Sequence, residues 1–351
     1  MSKSQERAPS SRIGGHAAWA MAVGGMIGGG VWTLSGVIFG AAGSLAPVAL
    51  VLGGLVALAT VHSYARLVAA TKSELVPVAV VDLAGHRRIA RVLAWLLVAV
   101  YVLATAVYTF TFGHYFAHAF GLGSTTVLVA QACAVVIGVV LNLRGAQESA
   151  KAQIIAVWMQ LAILLGIALL GFVYWEPANL SRGVPAPSLG GIIVAMSGTF
   201  IAFEGFEMLA YDVRELRRPR NVLRAKLPLA VLAVAIIYAL VSVGAASLVG
   251  AGALVGHEEN ALAVAGEAAA GRIGLYVVSL AACASAISAI NATLFSVSRL
   301  ARTSAEHTLL PDWCRRCNRH DAPLWAIVAI SVGAFVVASV TDLTTLLAIA
   351  S

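Results

Sequence analysis

Charge is what this sequence has least of. Of 351 residues only 11% are charged, against 60% hydrophobic, and the mean hydropathy is +0.91. Soluble domains carry about 25% charged residues. A water-soluble fold of this length could not hide so much apolar surface, so lipid must be the solvent for much of it. Cysteine is scarce too. Cys133, Cys283, Cys314 and Cys317 are the only four, too few and too scattered for a disulfide framework. No cleavable leader is expected either, since the polar tail Met1–Arg12 runs straight into apolar sequence with no small-residue cleavage site. No soluble domain, linker or low-complexity tract is visible. A membrane enzyme would need convergent His, Asp, Glu or Cys side chains at membrane depth, and the sequence offers no such cluster.

What is present is a series of long apolar runs. Windows of about 20 apolar residues place nine complete spans near 14–40, 45–65, 92–113, 124–143, 153–175, 189–211, 227–250, 273–298 and 322–340, with a tenth starting at Leu343. If the N-terminus is cytoplasmic, 21 of the 23 Lys and Arg residues fall on the inner side, and only Arg182 and Arg272 fall outside. That positive-inside bias predicts a multi-pass protein of the inner (plasma) membrane with residues 1–12 in the cytoplasm and 13–351 as the transmembrane unit. It also accounts for the net charge of +7 without nucleic acid: the partner of these loops is the lipid bilayer.

Two spans are built to break. In the first, Gly24, Gly25, Gly28, Gly29 and Gly30 fall within seven residues. Each glycine costs roughly 1 kcal/mol against alanine inside a helix. Such a cluster serves close helix packing, or lets the backbone leave the helix and offer bare N–H groups to an anion. Five glycines exceed what packing needs. In the sixth span, Glu204 and Glu207 flank Gly205 at membrane depth. Buried carboxylates in lipid face a cavity, a cation or a proton path, or bond helix backbone within the bundle. A broken helix opening each half is the pattern of an inverted-repeat transporter, here about 13–175 and 189–351.

These and further motifs resemble the amino acid–polyamine–organocation (APC) superfamily of permeases. They are Gly25-Met-Ile-Gly-Gly-Gly30, Ala42-Gly-Ser-Leu-Ala-Pro-Val48, Ser63-Tyr-Ala-Arg-Leu67, Asn142-Leu-Arg-Gly145, Ala202-Phe-Glu-Gly-Phe-Glu207 with Arg214-Glu-Leu-Arg-Arg-Pro-Arg220, and Ser288–Arg299 followed by Leu309-Leu-Pro311. The resemblance implies an all-α, LeuT-like five-plus-five inverted-repeat bundle and alternating-access transport of amino acids. It implies that the backbone of Gly25, Ile27, Gly28, Gly29 and Gly30 binds the substrate carboxylate. The carbonyls of Phe200, Ile201, Ala202 and Phe203 would take the α-amine. Ile201 falls where related exchangers carry a bulky aromatic gate, so a smaller gate is implied. Glu204 falls at the side-chain pocket, suited to a cationic substrate or a proton.

Gln160, Glu204, Glu207, Ser285 and Ser288 are the expected coupling or gating residues. Gln160 stands where proton-coupled relatives carry a lysine, and a glutamine cannot titrate. H+ or an exchanged amino acid therefore both stay open as the coupling species. A homodimer stays open too. Arg66 replaces an expected glutamate. The family usually has twelve spans and this sequence stops inside the tenth, so an inactive fragment or a non-transporting sensor is the competing expectation. Cys314-Arg-Arg-Cys317 with His320 has metal-like spacing, but the surrounding arginines read as a membrane anchor, and no metal or cofactor is expected. His114 and His118 read as an interfacial polar cap; Ser285, Ser288 and Asn291 as a helix seam; and Glu258, Glu259 and Glu267 as a solvated outer loop.

Overall fold

A computed structural model of the chain describes residues 14–71, 76–144, 150–207, 216–217 and 221–350. The N-terminal tail and most of the 208–220 segment, with Arg214, Arg218 and Arg220, lie outside the described residues. The described chain is helical, its extended pairing limited to isolated bridges, one between Cys317 and Pro323 and one at Leu216.

The expected first span is two helices, α1 (Gly15–Met26) and α2 (Gly30–Ala42), separated at Ile27, Gly28 and Gly29. Then follow α3 (Ala46–Thr71), α4 (Val76–Leu83), α5 (Arg87–Ala119), α6 (Ser124–Leu143) and α7 (Ala150–Val173). The second half opens with α8 (Leu189–Ala202), whose N-cap Ser188 accepts a hydrogen bond from the Gly191 N–H at 3.0 Å. A π-turn at Val222–Lys226 leads into α9 (Leu227–Val249), followed by the short α10 (Ala251–Gly256), then α11 (Ala261–Glu306), α12 (Leu324–Val340) and α13 (Leu343–Ala350). Among the described residues, six continuous helical stretches, counting α2 through α3 as one, are long and apolar enough to cross a membrane; α8 and α12, at 14 and 17 residues, are shorter apolar helices.

Three features depart from the sequence expectation. Helix α5 runs past both ends of the 92–113 window, because Arg87–Arg91 and His114–Ala119 continue the helix beyond the apolar stretch. Helix α11 is bent where Ala270 and Gly271 leave helical geometry, Gly271 at φ +62°, a conformation that costs a glycine little. Glu267 lies on the helical segment before that bend, so it is not part of a loop.

Helix α5 is the spine of the bundle, packing on α6, α11, α12 and α13, while α9 packs on α3 and α7, and α2 packs on α8. Polar side chains tie the seams. Asn142 Nδ2 on α6 donates to Asn291 Oδ1 on α11 at 3.0 Å, and Asn318 Nδ2 donates to the Leu143 carbonyl at 2.6 Å. Arg87 donates to the His307 carbonyl at 2.9 Å and to the Thr308 hydroxyl. These contacts gather the start of α5 and the ends of α6 and α11 at one basic end of the bundle.

Candidate functional site: two helix breaks facing each other

The five glycines do not share one role. Gly28, Gly29 and Gly30 form the break, and all three are buried. Ile27 closes α1 by donating to the Val23 carbonyl, and Trp32 opens α2 by donating to the Gly29 carbonyl. Between them, the N–H groups of Gly28, Gly29 and Gly30 have no hydrogen-bond acceptor among the described residues. Buried backbone donors are nearly always paired. Three consecutive ones at the positive end of a 13-residue helix are suited to an anion.

Helix α5 roofs this break. A methyl group placed at Gly28 would lie 2.8 Å from the Tyr108 ring, and one at Gly29 would lie 2.8 Å from both Thr111 Oγ1 and the Tyr108 ring. Gly30 abuts α8 instead, where a methyl would sit 3.0 Å from Ala202 Cα. Gly25 has a different job. It crosses Gly205 backbone to backbone, and a methyl at Gly205 would meet the Gly25 carbonyl oxygen at 2.5 Å. Gly205 sits at φ +110°, so that position excludes a side chain for conformational reasons as well.

In the second break, Phe203 and Glu204 donate back to the carbonyls of Phe200 and Ile201 at 3.1 and 3.0 Å, which ends α8 in a tight turn. Two of the four carbonyls expected to face an α-amine thus already accept backbone bonds. A third, Ala202, is approached at 3.0 Å by the Tyr238 hydroxyl of α9, which also lies 2.7 Å from the Met26 carbonyl. One phenol therefore spans the last carbonyls of α1 and α8. Ile201, Ala202 and Phe203 are buried, whereas Phe200 is 38% exposed and turns away from the break. A void of only about 10 Å³ lies between α2, α3, α8 and Tyr238.

The two glutamates divide. Glu207 folds back over its own turn: its Oε2 accepts from the Gly205 N–H at 3.1 Å and its Oε1 from the Tyr101 hydroxyl at 3.0 Å. Glu204 keeps Oε1 buried with no partner among the described residues. Gln160 on α7 is buried with its Oε1 unpartnered in the same sense. Ser285 donates to the Ile27 carbonyl at 2.6 Å and lies 3.4 Å from the Gly28 carbonyl, so α11 braces the first break. Ser288, one turn on, is partly buried.

Sequence reasoning missed Tyr101, Tyr108, Thr111 and Tyr238. A signal existed for the first three. Tyr101, Thr105, Tyr108, Thr111 and Tyr115 recur every three or four residues along an otherwise apolar helix, a buried polar stripe. Tyr238 carries no such signal.

At the end of the bundle opposite the basic loops, His114 Nδ1 pairs with Glu259 Oε2 at 2.8 Å. This hydrogen bond holds the Glu259 carboxyl below its ordinary range, against an opposing effect of burial. The Tyr115 hydroxyl contacts the Trp32 carbonyl and accepts from the Leu262 N–H at 3.3 Å, joining α2 to the start of α11. Among the described residues no group of three or more His, Cys, Asp or Glu side chains is placed to hold a metal, and the four cysteines are unbridged.

The profile of one family, described as amino acid permease, matches residues 13–351. The chain belongs to the amino acid permease family. Among this permease's relatives, an uncharacterized protein of Methanocaldococcus jannaschii is 27% identical over 300 residues, covering 85% of this chain and 69% of its own. The inner membrane transport protein YbaT of Escherichia coli is 25% identical, covering 83% and 69%. The branched-chain amino acid permease BcaP of Lactococcus lactis is 25% identical, covering 62% of this chain and 50% of its own. The permease also superposes on the crystal structure of MhsT in complex with L-phenylalanine, with a TM-score of 0.68 at 15% identity, covering 95% of this chain and 85% of that one. That likeness is one of fold. Family and named relatives make this a multi-pass membrane transport protein rather than an enzyme.

Proposed function

We propose that the chain is a secondary transporter that moves amino acids across the inner membrane by alternating access, with its basic end and N-terminus in the cytoplasm. The observation that carries this reading is the run of three buried, unpaired N–H groups at Gly28–Gly30 at the start of α2. They are suited to a substrate carboxylate. The turn at Phe200–Phe203, where α8 ends, supplies the negative end of a helix for the α-amine. The small void is lined mainly by apolar residues (Val31, Leu34, Ile38, Leu50 and Ala202), with the Ser35 and Tyr238 hydroxyls beside them, which favours a neutral side chain on the substrate. The names of BcaP and of the MhsT complex agree with that chemistry.

In this reading the repeats are about 13–175 and 189–351, with nine complete spans and the start of a tenth. Helices α1 and α8 rock together against α5, α6, α11 and α12. Glu207 holds the second break in shape, and Glu204 is the protonatable group, a part that Gln160 cannot play. The test is counterflow in proteoliposomes preloaded with unlabelled amino acids, following labelled leucine, phenylalanine and lysine. Saturable uptake of the apolar species, lost in Gly28→Leu, is the expected result. Binding without uptake would mean a sensor or a stalled transporter, and no binding would remove the carboxylate site.

A further inference from the structure

A surface away from the helix breaks has the chemistry of a ligand site. Two apolar grooves lie side by side at the basic end, where α5, the 310–316 loop and α12 meet. The larger, about 500 Å³, is walled by Trp95, Val98 and Val102 of α5, Leu310 and Trp313 of the loop, and Ile330 of α12. The smaller, about 280 Å³, is lined by Trp313, Arg316, Trp325, Val328 and Ala329. Trp313 and Ala329 line both, so the indole is a ridge dividing one groove from the other. Trp95, Trp313 and Trp325 are 46%, 39% and 51% exposed, and exposed tryptophans collect at the level of lipid headgroups.

The cations of the loop are not equivalent. Arg302 is paired with Glu306 and Asp321, and Arg315 with Asp312. Arg316, in the wall of the smaller groove, has no acidic partner among the described residues. Its backbone is tied to α12, because its carbonyl accepts from the Leu324 N–H at the start of that helix.

We propose that this surface binds one anionic phospholipid, with an acyl chain in each groove, Trp313 between the chains and the phosphate on Arg316. The divided shape argues for two slender chains. A helix is a single cylinder about 10 Å wide, and the Trp313 ridge would obstruct it. The uncompensated Arg316 beside apolar walls argues for an anionic amphiphile over a neutral lipid or a free anion. The inference rests on membrane embedding and not on the transport reading.

The test is native mass spectrometry of the purified full chain released from detergent, with phosphatidylglycerol or phosphatidylcholine added at equal concentration. One phosphatidylglycerol should be retained in preference to phosphatidylcholine. Arg316→Ala should reduce that preference about five-fold, the value of one basic residue at an anionic surface. Arg315→Ala, whose partner is Asp312, should reduce it less than about two-fold. Ala329→Trp adds an indole at an exposed position of α12 shared by both grooves, and should abolish retention of either lipid with the melting temperature unchanged. Should Ala329→Trp fold poorly, Arg316→Ala against Arg315→Ala still decides. Equal retention of the two lipids, indifference to Arg316→Ala, displacement by inorganic phosphate alone, or a lipid-insensitive dimer covering the grooves would each overturn the proposal.

Discussion

Removing one oxygen atom tests whether the two helix breaks are held as a unit. Tyr238 is 2% exposed, and its ring packs on Phe203 with centroids 5.4 Å apart. Tyr238→Phe keeps that packing and deletes only the hydroxyl, which lies 2.7 Å from the Met26 carbonyl and 3.0 Å from the Ala202 carbonyl. The single phenol proton serves two acceptors, each the last carbonyl of a helix that stops inside the bundle. A net hydrogen bond is worth roughly 0.5–1.5 kcal/mol, and a buried acceptor left without a partner costs about 1–3 kcal/mol. The expected loss is therefore about 1–3 kcal/mol of the closed arrangement. At about 1.4 kcal/mol per factor of ten, that is a change of about five- to a hundred-fold in the ratio of closed to open breaks. Thermal denaturation in detergent should show a melting temperature lowered by a few degrees. Counterflow should change in rate while the apparent affinity for the carboxylate end changes less, because Gly28–Gly30 are untouched. A Tyr238→Phe protein that melts and exchanges like the parent would refute the bridge.

Gly205→Ala combines a positive-φ position with a methyl 2.5 Å from the Gly25 carbonyl; it should cost more stability than Gly25→Ala, whose methyl meets Gly205 O at 3.0 Å, when both are melted in the same detergent. The two glutamates should separate in paired assays: Glu207→Ala strips two hydrogen bonds from the second break and should lower the melting temperature. Glu204→Gln should leave the melting temperature unchanged or raised while removing the pH dependence of uptake, and a pH-dependent Glu204→Gln would contradict its role. The depressed Glu259 carboxyl contributes stability fully present above its unfolded value near pH ~4.3 and lost as pH falls through its lower folded value. His114→Ala should abolish that contribution, seen as a melting temperature that no longer falls beyond the background trend as pH drops below the ordinary carboxylate value.

Both breaks were legible in the sequence because they needed residues that a straight membrane helix would avoid. Five glycines and a Glu-Gly-Phe-Glu turn are costly in lipid unless the backbone uses them. The all-helical fold followed from apolar run length. What could not be read was the division of labour within each motif. Nothing in the spacing says that Gly25 packs against Gly205 while Gly28 faces Tyr108, because that depends on which helices cross. Glu204 and Glu207 look equivalent until the positive-φ turn at Gly205 aims one of them back at its own backbone. Tyr238 was invisible, one hydroxyl beside Ser242 and Ser247 on an apolar helix, and its value lies in two carbonyls more than thirty residues away in sequence. The bend at Ala270–Gly271 was hidden for another reason: an alanine-rich stretch ending in one glycine reads equally well as a continuous helix.

The Gly25–Gly205 crossing has a mechanical consequence. Most packed helices mesh through side chains, and one cannot slide or roll over another until knobs lift out of holes. Here the contact surface is bare peptide on both sides, so the two backbones approach more closely than side chains would let them. Gly25 and the turn after α8 form a splice, through which the two broken helices can travel as one piece. A single added methyl would act as a wedge in that splice.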